Sequence, residues 1–151
     1  MIDRYILLAE DNPNDAELTI AALRENKLVS PIIVVPDGAE ALDFLYRRGR
    51  HADRKNGPPA VILLDLKMPK VDGLEVLRTI KKDADLRIIP VVMLTSSREE
   101  ADLTRSYENG ANAYVVKPVG FDEFMQTVRE LGLFWGLVNE PSPLPRKKGA
   151  V

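Results

Sequence analysis

The chain of 151 residues contains no cysteine, one tryptophan and one histidine. Without cysteine it can form no disulfide bond, and it offers neither a thiolate metal ligand nor a cysteine nucleophile. The single histidine, His51, lies in a polar stretch, and we expect it to be an exposed side chain without a role in metal binding or catalysis. The lack of cysteine agrees with a reducing compartment, so we expect the protein to be cytoplasmic.

Long apolar runs and a strong net charge are also absent. No apolar stretch reaches the length that spans a membrane. The first apolar run, Tyr5 to Ala9, is followed at once by Glu10 and Asp11, so we expect no signal peptide. The net charge is −2, which provides no overall field toward nucleic acid or a membrane surface. We therefore expect neither of these as a partner.

Short apolar strands alternate with amphipathic helices along the chain. The predicted strands cover 5–9, 32–35, a run that ends at Asp65, 88–94 and 113–116. The first predicted helix begins at Pro13 after an Asn12 cap, and the second covers 38–48. The third follows a cap at Asp72, the fourth covers 98–109, and the fifth begins at Phe121. This order predicts an α/β fold, a doubly wound five-stranded parallel sheet of flavodoxin-like strand order 2-1-3-4-5. We expect one domain over residues 1–133 and an extension over 134–151.

Two segments carry more specific expectations. In the first helix, the spacing places Leu18 and the 21–23 segment on the apolar face. The long connection over 47–59 is polar and strongly basic. It is interpreted either as a solvated loop, the commoner case, or as a docking patch for an acidic partner. Its cationic residues are Arg47, Arg48, Arg50, Arg54 and Lys55.

Polar residues follow four of the five predicted strands. Glu10 and Asp11 follow the first, Asp65 ends the third, Thr95 ends the fourth, and Lys117 follows the fifth. The carboxyl ends of parallel strands meet at one edge of the sheet, where ligands bind. Three carboxylates in one cleft repel each other, and a hard divalent cation such as Mg²⁺ relieves that repulsion. With a lysine and a hydroxyl added, the set is typical of phosphoryl transfer.

Each of these residues also has a plain structural interpretation. Asp65 alone is explained as a cap, the Glu10–Asp11 pair as a favourable charge at a helix start, and Lys117 as a surface lysine. Thr95 alone is an ordinary strand residue. Finding all of them at the ends of the expected strands favours a site.

The stretches around these residues resemble the receiver domain of two-component response regulators, over about residues 5–131. The resemblance implies that Asp65 is the phospho-acceptor of a histidine kinase. It also implies that Glu10, Asp11 and Asp65 hold Mg²⁺ together with the backbone carbonyl of Lys67. Lys117 is implied to pair with the phosphoryl group. Such a protein signals by protein–protein contact and is not itself an enzyme.

Further roles follow from the same resemblance. Thr95 and Tyr114 correspond to a coupled switch pair, and the Lys117–Pro118 bond is implied to be cis. Taken alone, Tyr114 also fits a plain strand residue packed against the fourth helix, and the resemblance favours the switch role. The side chains of Lys67 and Ser97 are implied to flank the path of hydrolytic water.

The C-terminal segment allows two interpretations. The segment 134–138 is rich in large apolar residues, and it is followed by a proline-spaced, basic tail. The apolar residues either extend the last helix or form a dimer surface.

The chain resembles the single-domain regulators paired with bacterial and cyanobacterial phytochromes in the segments 10–15, 37–45 and 134–141 and in the long polar loop. This implies a homodimer, a light-sensing histidine kinase as phosphoryl donor and an unidentified downstream protein. The alternative input is a kinase that is not a photoreceptor, or an intermediate shuttle in a phosphorelay.

Three other classes of protein fit the sequence less well. An aspartate-nucleophile phosphohydrolase needs a second aspartate two residues after the first, where this chain has Lys67. A flavodoxin-like FMN carrier needs a Ser, Thr and Gly-rich loop after the first strand, where this chain is acidic. A receiver that no longer takes phosphate is disfavoured because the acidic pair, Asp65, Thr95 and Lys117 are all present.

Overall fold

The strands and helices alternate in the expected order. The computed structural model describes residues 4–24, 30–96, 98–118 and 120–130. The strands are β1 (Ile6–Ala9), β2 (Ile32–Val35), β3 (Val61–Leu64), β4 (Val91–Thr95) and β5 (Ala113–Val116). The helices are α1 (Pro13–Arg24), α2 (Gly38–Tyr46), α3 (Gly73–Lys82), α4 (Glu100–Glu108) and α5 (Phe121–Glu130), with a 3₁₀ turn at Gly49–His51. The segment from residue 131 onward, with the predicted boundary at 133 and the apolar stretch 134–138, lies outside the described residues.

The five strands form one parallel sheet in the order β2-β1-β3-β4-β5, which confirms the predicted topology. The central strands are apolar throughout because both faces of the sheet are covered. In β1, Leu7 and Ala9 face the core that includes Phe44 of α2, whereas Ile6 and Leu8 face the opposite core. Residues of α2 and α3 fill the first core, and residues of α1 and α5 fill the second. In the described ranges, no helix has the length and apolarity needed to cross a membrane.

Both predicted helix caps, Asn12 and Asp72, are present. The Asn12 side chain accepts a hydrogen bond from the Asp15 N–H at 3.0 Å, and Pro13 is the first helical residue. Asp37 and Asp72 cap α2 and α3 in the same way. Because these caps satisfy otherwise unpaired N–H groups, they fix where each helix begins beside the sheet edge.

Two sequence-based predictions are wrong, namely the apolar face of α1 and the start of β4. Leu18 is 63% exposed and Ala21 is exposed, whereas α1 buries Ala16, Thr19 and Leu23. The hydrophobic spacing of the sequence fits more than one face, and the packing of α1 on the sheet selects the face of residues 16, 19 and 23. Ile88 is 79% exposed, because β4 begins only at Val91.

The basic connection over 47–59 is tied to its own domain. Arg54 donates hydrogen bonds to the carbonyls of Phe44 and Gly57 and to the Tyr5 hydroxyl, at 2.9 to 3.0 Å. Its guanidinium also lies 4.3 Å from the centre of the Phe44 ring. Arg47 donates to two further loop carbonyls. Arg47 and Arg54 thus tie the connection to the domain, while most of its residues are exposed to solvent.

The prediction of an exposed His51 is also wrong. Its Nε2 lies 2.9 Å from a carboxylate oxygen of Glu40, and only 16% of its side chain is exposed. Its ring packs edge-on against Phe44. His51 therefore joins the basic connection to α2.

The first turn of α3 packs directly on the segment after β3. A Cβ at Gly73 would lie 2.0 Å from the main-chain oxygen of Asp65, and the Gly73 N–H donates to the Leu66 carbonyl at 2.8 Å. Only glycine allows this approach, so Gly73 sets the position of the strand end that carries Asp65.

We expect Gly73→Ala to destabilise the fold by about 1–3 kcal/mol, because the added methyl group overpacks this contact. Urea unfolding followed by circular dichroism measures the change. Gly57→Ala is the matched control, since a Cβ there meets no atom of the described structure within 4 Å. Equal stability of the two variants would show that the Gly73 contact relaxes without cost.

Candidate functional site

The polar residues predicted from the strand ends lie together at the carboxyl edge of the sheet. They line a cavity of about 440 Å³. The main chain places Asp65 beside β1, because its N–H donates to the Ala9 carbonyl at 3.1 Å, and the Lys117 N–H donates to the Thr95 carbonyl at 2.8 Å. The lining residues are Glu10, Asp11, Asn12, Asp15, Asp65, Lys67, Thr95, Ser96, Arg98, Glu99 and Lys117.

Three carboxylates form the acidic part of the site. Glu10, Asp11 and Asp65 each present an oxygen, and these oxygens lie within 4.8 Å of one another. Glu10 and Asp65 are buried, whereas Asp11 is exposed. Oxygen ligands at this spacing, partly open to solvent, suit a hard divalent cation.

Lys117 joins the strand ends through hydrogen bonds to three carboxylates. Its ammonium donates to Glu10 Oε1 at 2.9 Å, to Asp15 Oδ2 at 2.9 Å and to Asp65 Oδ2 at 3.2 Å. A lysine ammonium has three N–H donors, and here each of them has a carboxylate acceptor.

Asp15 is the site residue that the sequence-based prediction missed. It lies in the first turn of α1, four residues after Asp11, where a negative charge is favourable in its own right. That ordinary explanation concealed its contact with Lys117, which is 102 residues away. Its one signal in the sequence was its place in the first turn of α1, directly after the strand end that carries Glu10 and Asp11.

The charges in the site perturb each other. Burial raises the pKa of Glu10 to about 7, and the nearby Asp65 adds to the increase, although the hydrogen bond from Lys117 opposes it. Burial alone would lower the pKa of Lys117, but hydrogen bonds to Asp15 and Glu10 and the charge of Asp65 raise it above its ordinary value. The lining residues comprise five carboxylates and the three cations Lys67, Arg98 and Lys117, so the site keeps an excess of negative charge.

Lys67 contributes its main chain to the site. Its N–H donates to Asp65 Oδ1 at 3.3 Å, and its side chain is exposed. The predicted metal contact through the Lys67 carbonyl stays a prediction. Ser97, the predicted neighbour of the water path, lies outside the described residues.

Thr95 and Tyr114 lie on the adjacent strands β4 and β5. Thr95 is 2% exposed, and Tyr114 is half-buried against the core filled by α2 and α3. In the parallel register, Met93 is opposite Tyr114 and Thr95 is opposite Val116. Because alternate strand residues share a face, Thr95 and Tyr114 are diagonal neighbours on the same side of the sheet. The Lys117–Pro118 bond, which follows β5, is cis.

The sheet order β2-β1-β3-β4-β5 and the polar residues at the strand ends agree with one known family of domains. Residues 6–129 match the response regulator receiver domain family. The chain therefore belongs to the response regulator receiver family.

Three individual proteins show how similar this chain is to known response regulators and related regulatory proteins. The probable methanogenesis regulatory protein FilR2 of Methanothrix harundinacea is 42% identical over 139 residues, which are 91% of this chain and 88% of the relative. The solved structure of the bacteriophytochrome response regulator AtBRR is 60% identical with a TM-score of 0.82, and the match covers 91% of this chain and 98% of that one. The Mn²⁺-bound form of response regulator Rcp1 is 37% identical with a TM-score of 0.72, covering 93% and 99%.

The raised pKa of Glu10 predicts how the stability of the metal-free protein depends on pH. The folded state retains the Glu10 proton up to about pH 7, whereas the ordinary value is 4.5. The stability that Glu10 contributes is therefore complete below pH 4.5 and is lost as the pH rises through about 7. We expect the wild type to become less stable relative to Glu10→Gln across this interval.

The measurement is urea unfolding in the presence of a chelator, repeated at several pH values across that interval. Glu17→Gln, at an exposed position of α1, corrects for the loss of one negative charge. A difference between wild type and Glu10→Gln that stays constant with pH would contradict the assignment.

Proposed function

We propose that this protein is a phospho-acceptor response regulator in which Asp65 receives a phosphoryl group from a histidine kinase. One observation carries the proposal: the buried Asp65 carboxylate lies 3.2 Å from the Lys117 ammonium, beside two further carboxylates able to share a cation. A nucleophile, a cation site and a fixed positive charge are the parts that phosphoryl transfer requires.

In the proposed step, a carboxylate oxygen of Asp65 attacks phosphorus as the bond to the kinase imidazole breaks. The imidazole nitrogen keeps the bonding electron pair, and the product is an acyl phosphate on Asp65. Lys117 neutralises part of the charge on the phosphoryl oxygens. Glu10 and Asp11 would hold Mg²⁺ together with Asp65 and the Lys67 carbonyl, and the ion would supply further charge neutralisation.

The cation requirement follows from the charge balance of the described site. Of the five carboxylates that line the cavity, Lys117 pairs with Glu10, Asp15 and Asp65. The three lining cations do not balance the five carboxylates, so an excess of negative charge remains. A dianionic phosphoryl donor is repelled unless a divalent cation offsets this charge. The Mn²⁺-bound form of the related Rcp1 supports a divalent ion, and we propose Mg²⁺ for this chain.

We also propose that Thr95 and Tyr114 transmit the change at Asp65. Phosphorylation adds roughly −1.5 to −2 charge units and three acceptor oxygens. The Thr95 hydroxyl would turn toward the new acceptor, and the Tyr114 ring would occupy the space it leaves. Their diagonal placement on β4 and β5 supports this coupling.

For the input, we propose a phytochrome-type histidine kinase, because the identity with AtBRR is 60% over nearly the whole chain. FilR2, which is 42% identical, is described as a methanogenesis regulatory protein and not as a phytochrome partner. The alternative input is therefore a kinase that is not a photoreceptor, or an intermediate shuttle in a phosphorelay. The output would be contact with an unidentified downstream protein. We propose a homodimer formed by the apolar segment 134–138, which lies outside the described residues.

The acceptor assignment predicts that the wild type, incubated with acetyl phosphate and Mg²⁺, gains one acid-stable, base-labile phosphate. Asp65→Asn should gain none, because the amide is not a nucleophile for this step. Mass spectrometry before and after hydroxylamine treatment measures the label. Labelling of Asp65→Asn equal to that of the wild type would place the acceptor elsewhere.

The switch assignment predicts that beryllofluoride, a phosphoryl mimic, changes the NMR environment of the Tyr114 ring in the presence of Mg²⁺. In Thr95→Ala the change at Tyr114 should be lost while beryllofluoride still binds. The Tyr46 ring, whose hydroxyl is bonded to Asp83, serves as an internal control. An unchanged Tyr114 environment in the wild type would contradict the coupling.

A further inference from the structure

We propose that Asp15 is a positioning residue for Lys117, and that its charge slows phosphorylation by free anionic phosphodonors. The proposal rests on the proposed acceptor role of Asp65. Lys117 divides its three donors among Glu10, Asp15 and Asp65, and the contact with Asp15 is as short as the contact with Glu10, at 2.9 Å each.

Asp15 differs from the other carboxylates in the site. Within the described residues, the carboxylates that are close enough to share a cation are Glu10, Asp11 and Asp65. Asp15 is outside that group, so a bound cation would neutralise its charge least directly. In these contacts, Asp15 and Asp65 share one hydrogen-bond partner, the Lys117 ammonium.

The main chain holds Asp15 in place at the rim. Its N–H donates to the Asn12 side chain at 3.0 Å, in the capped first turn of α1. Its side chain is 38% exposed. It borders both the acidic cavity and a second cavity of about 230 Å³ lined by Leu18, Thr19 and Pro118.

This placement has two opposing effects on the reaction. The hydrogen bond keeps the Lys117 ammonium at the mouth of the cavity, within reach of Asp65. The negative charge of Asp15, however, cancels part of the ammonium's field and repels an anion that enters from solvent. Asp15→Asn separates the effects, because the amide oxygen still accepts the Lys117 hydrogen bond while the charge is removed.

The experiment compares two small phosphodonors on wild type and Asp15→Asn with saturating Mg²⁺. Acetyl phosphate is a dianion at neutral pH, and phosphoramidate carries one net negative charge. We expect Asp15→Asn to be phosphorylated by acetyl phosphate about two- to fivefold faster at low salt, the range of a partly exposed charge pair. The gain should be smaller with phosphoramidate and should shrink at high salt, because exposed charges are screened.

Glu17→Gln is the matched control, since it removes one exposed negative charge from the same helix. NMR of the Lys117 side chain in the metal-free protein gives a readout independent of activity, and it should change in Asp15→Asn but not in Glu17→Gln. A loss of rate that is equal for both donors, or an unchanged Lys117 signal, would overturn the proposal. If the wild type itself takes no phosphate from either donor, the proposed function fails instead.

Discussion

The contact of one lysine with three carboxylates is the constraint on which the site depends. Lys117 and Glu10 are 107 residues apart, and the sheet order alone brings their strand ends together. Buried charges are costly unless they are paired and hydrogen-bonded. Glu10 and Asp65 can therefore remain buried because Lys117, which follows β5, brings an ammonium to both.

The apolar strands supply the rigid support for this contact. Each central strand is buried on both faces, so its position is fixed by the two cores and not by the polar residues at its end. The polar residues begin where the strands stop, and Gly73 allows α3 to close against the Asp65 main chain. The core thus determines the spacing of the charges, and the excess negative charge that remains favours the binding of a cation.

The sequence was sufficient for the features that arise locally. Unbroken apolar runs predicted the strands, capping residues predicted the helix starts, and the alternation of the two predicted the sheet order. Asp15, Leu18 and His51 were interpreted wrongly or missed because their surroundings come from distant segments. The face that α1 buries, the reach of Lys117 and the contact of His51 with Glu40 are each decided by tertiary packing, which hydrophobic periodicity does not encode.

Arg54 and Lys117 are two cations that differ in the kind of acceptor to which they donate. Arg54, at the amino end of β1, donates mostly to main-chain carbonyls and to the Tyr5 hydroxyl. Neutral acceptors satisfy its hydrogen bonds but leave its charge in place, and burial accordingly lowers the pKa of Arg54. Lys117, at the opposite end of the sheet, donates only to carboxylates in the contacts described above, and they outnumber it. The neutral acceptors around Arg54 need no further cation. The carboxylates around Lys117 carry more negative charge than one ammonium neutralises, so they attract a further cation. That imbalance lies at the end of the sheet that carries Asp65.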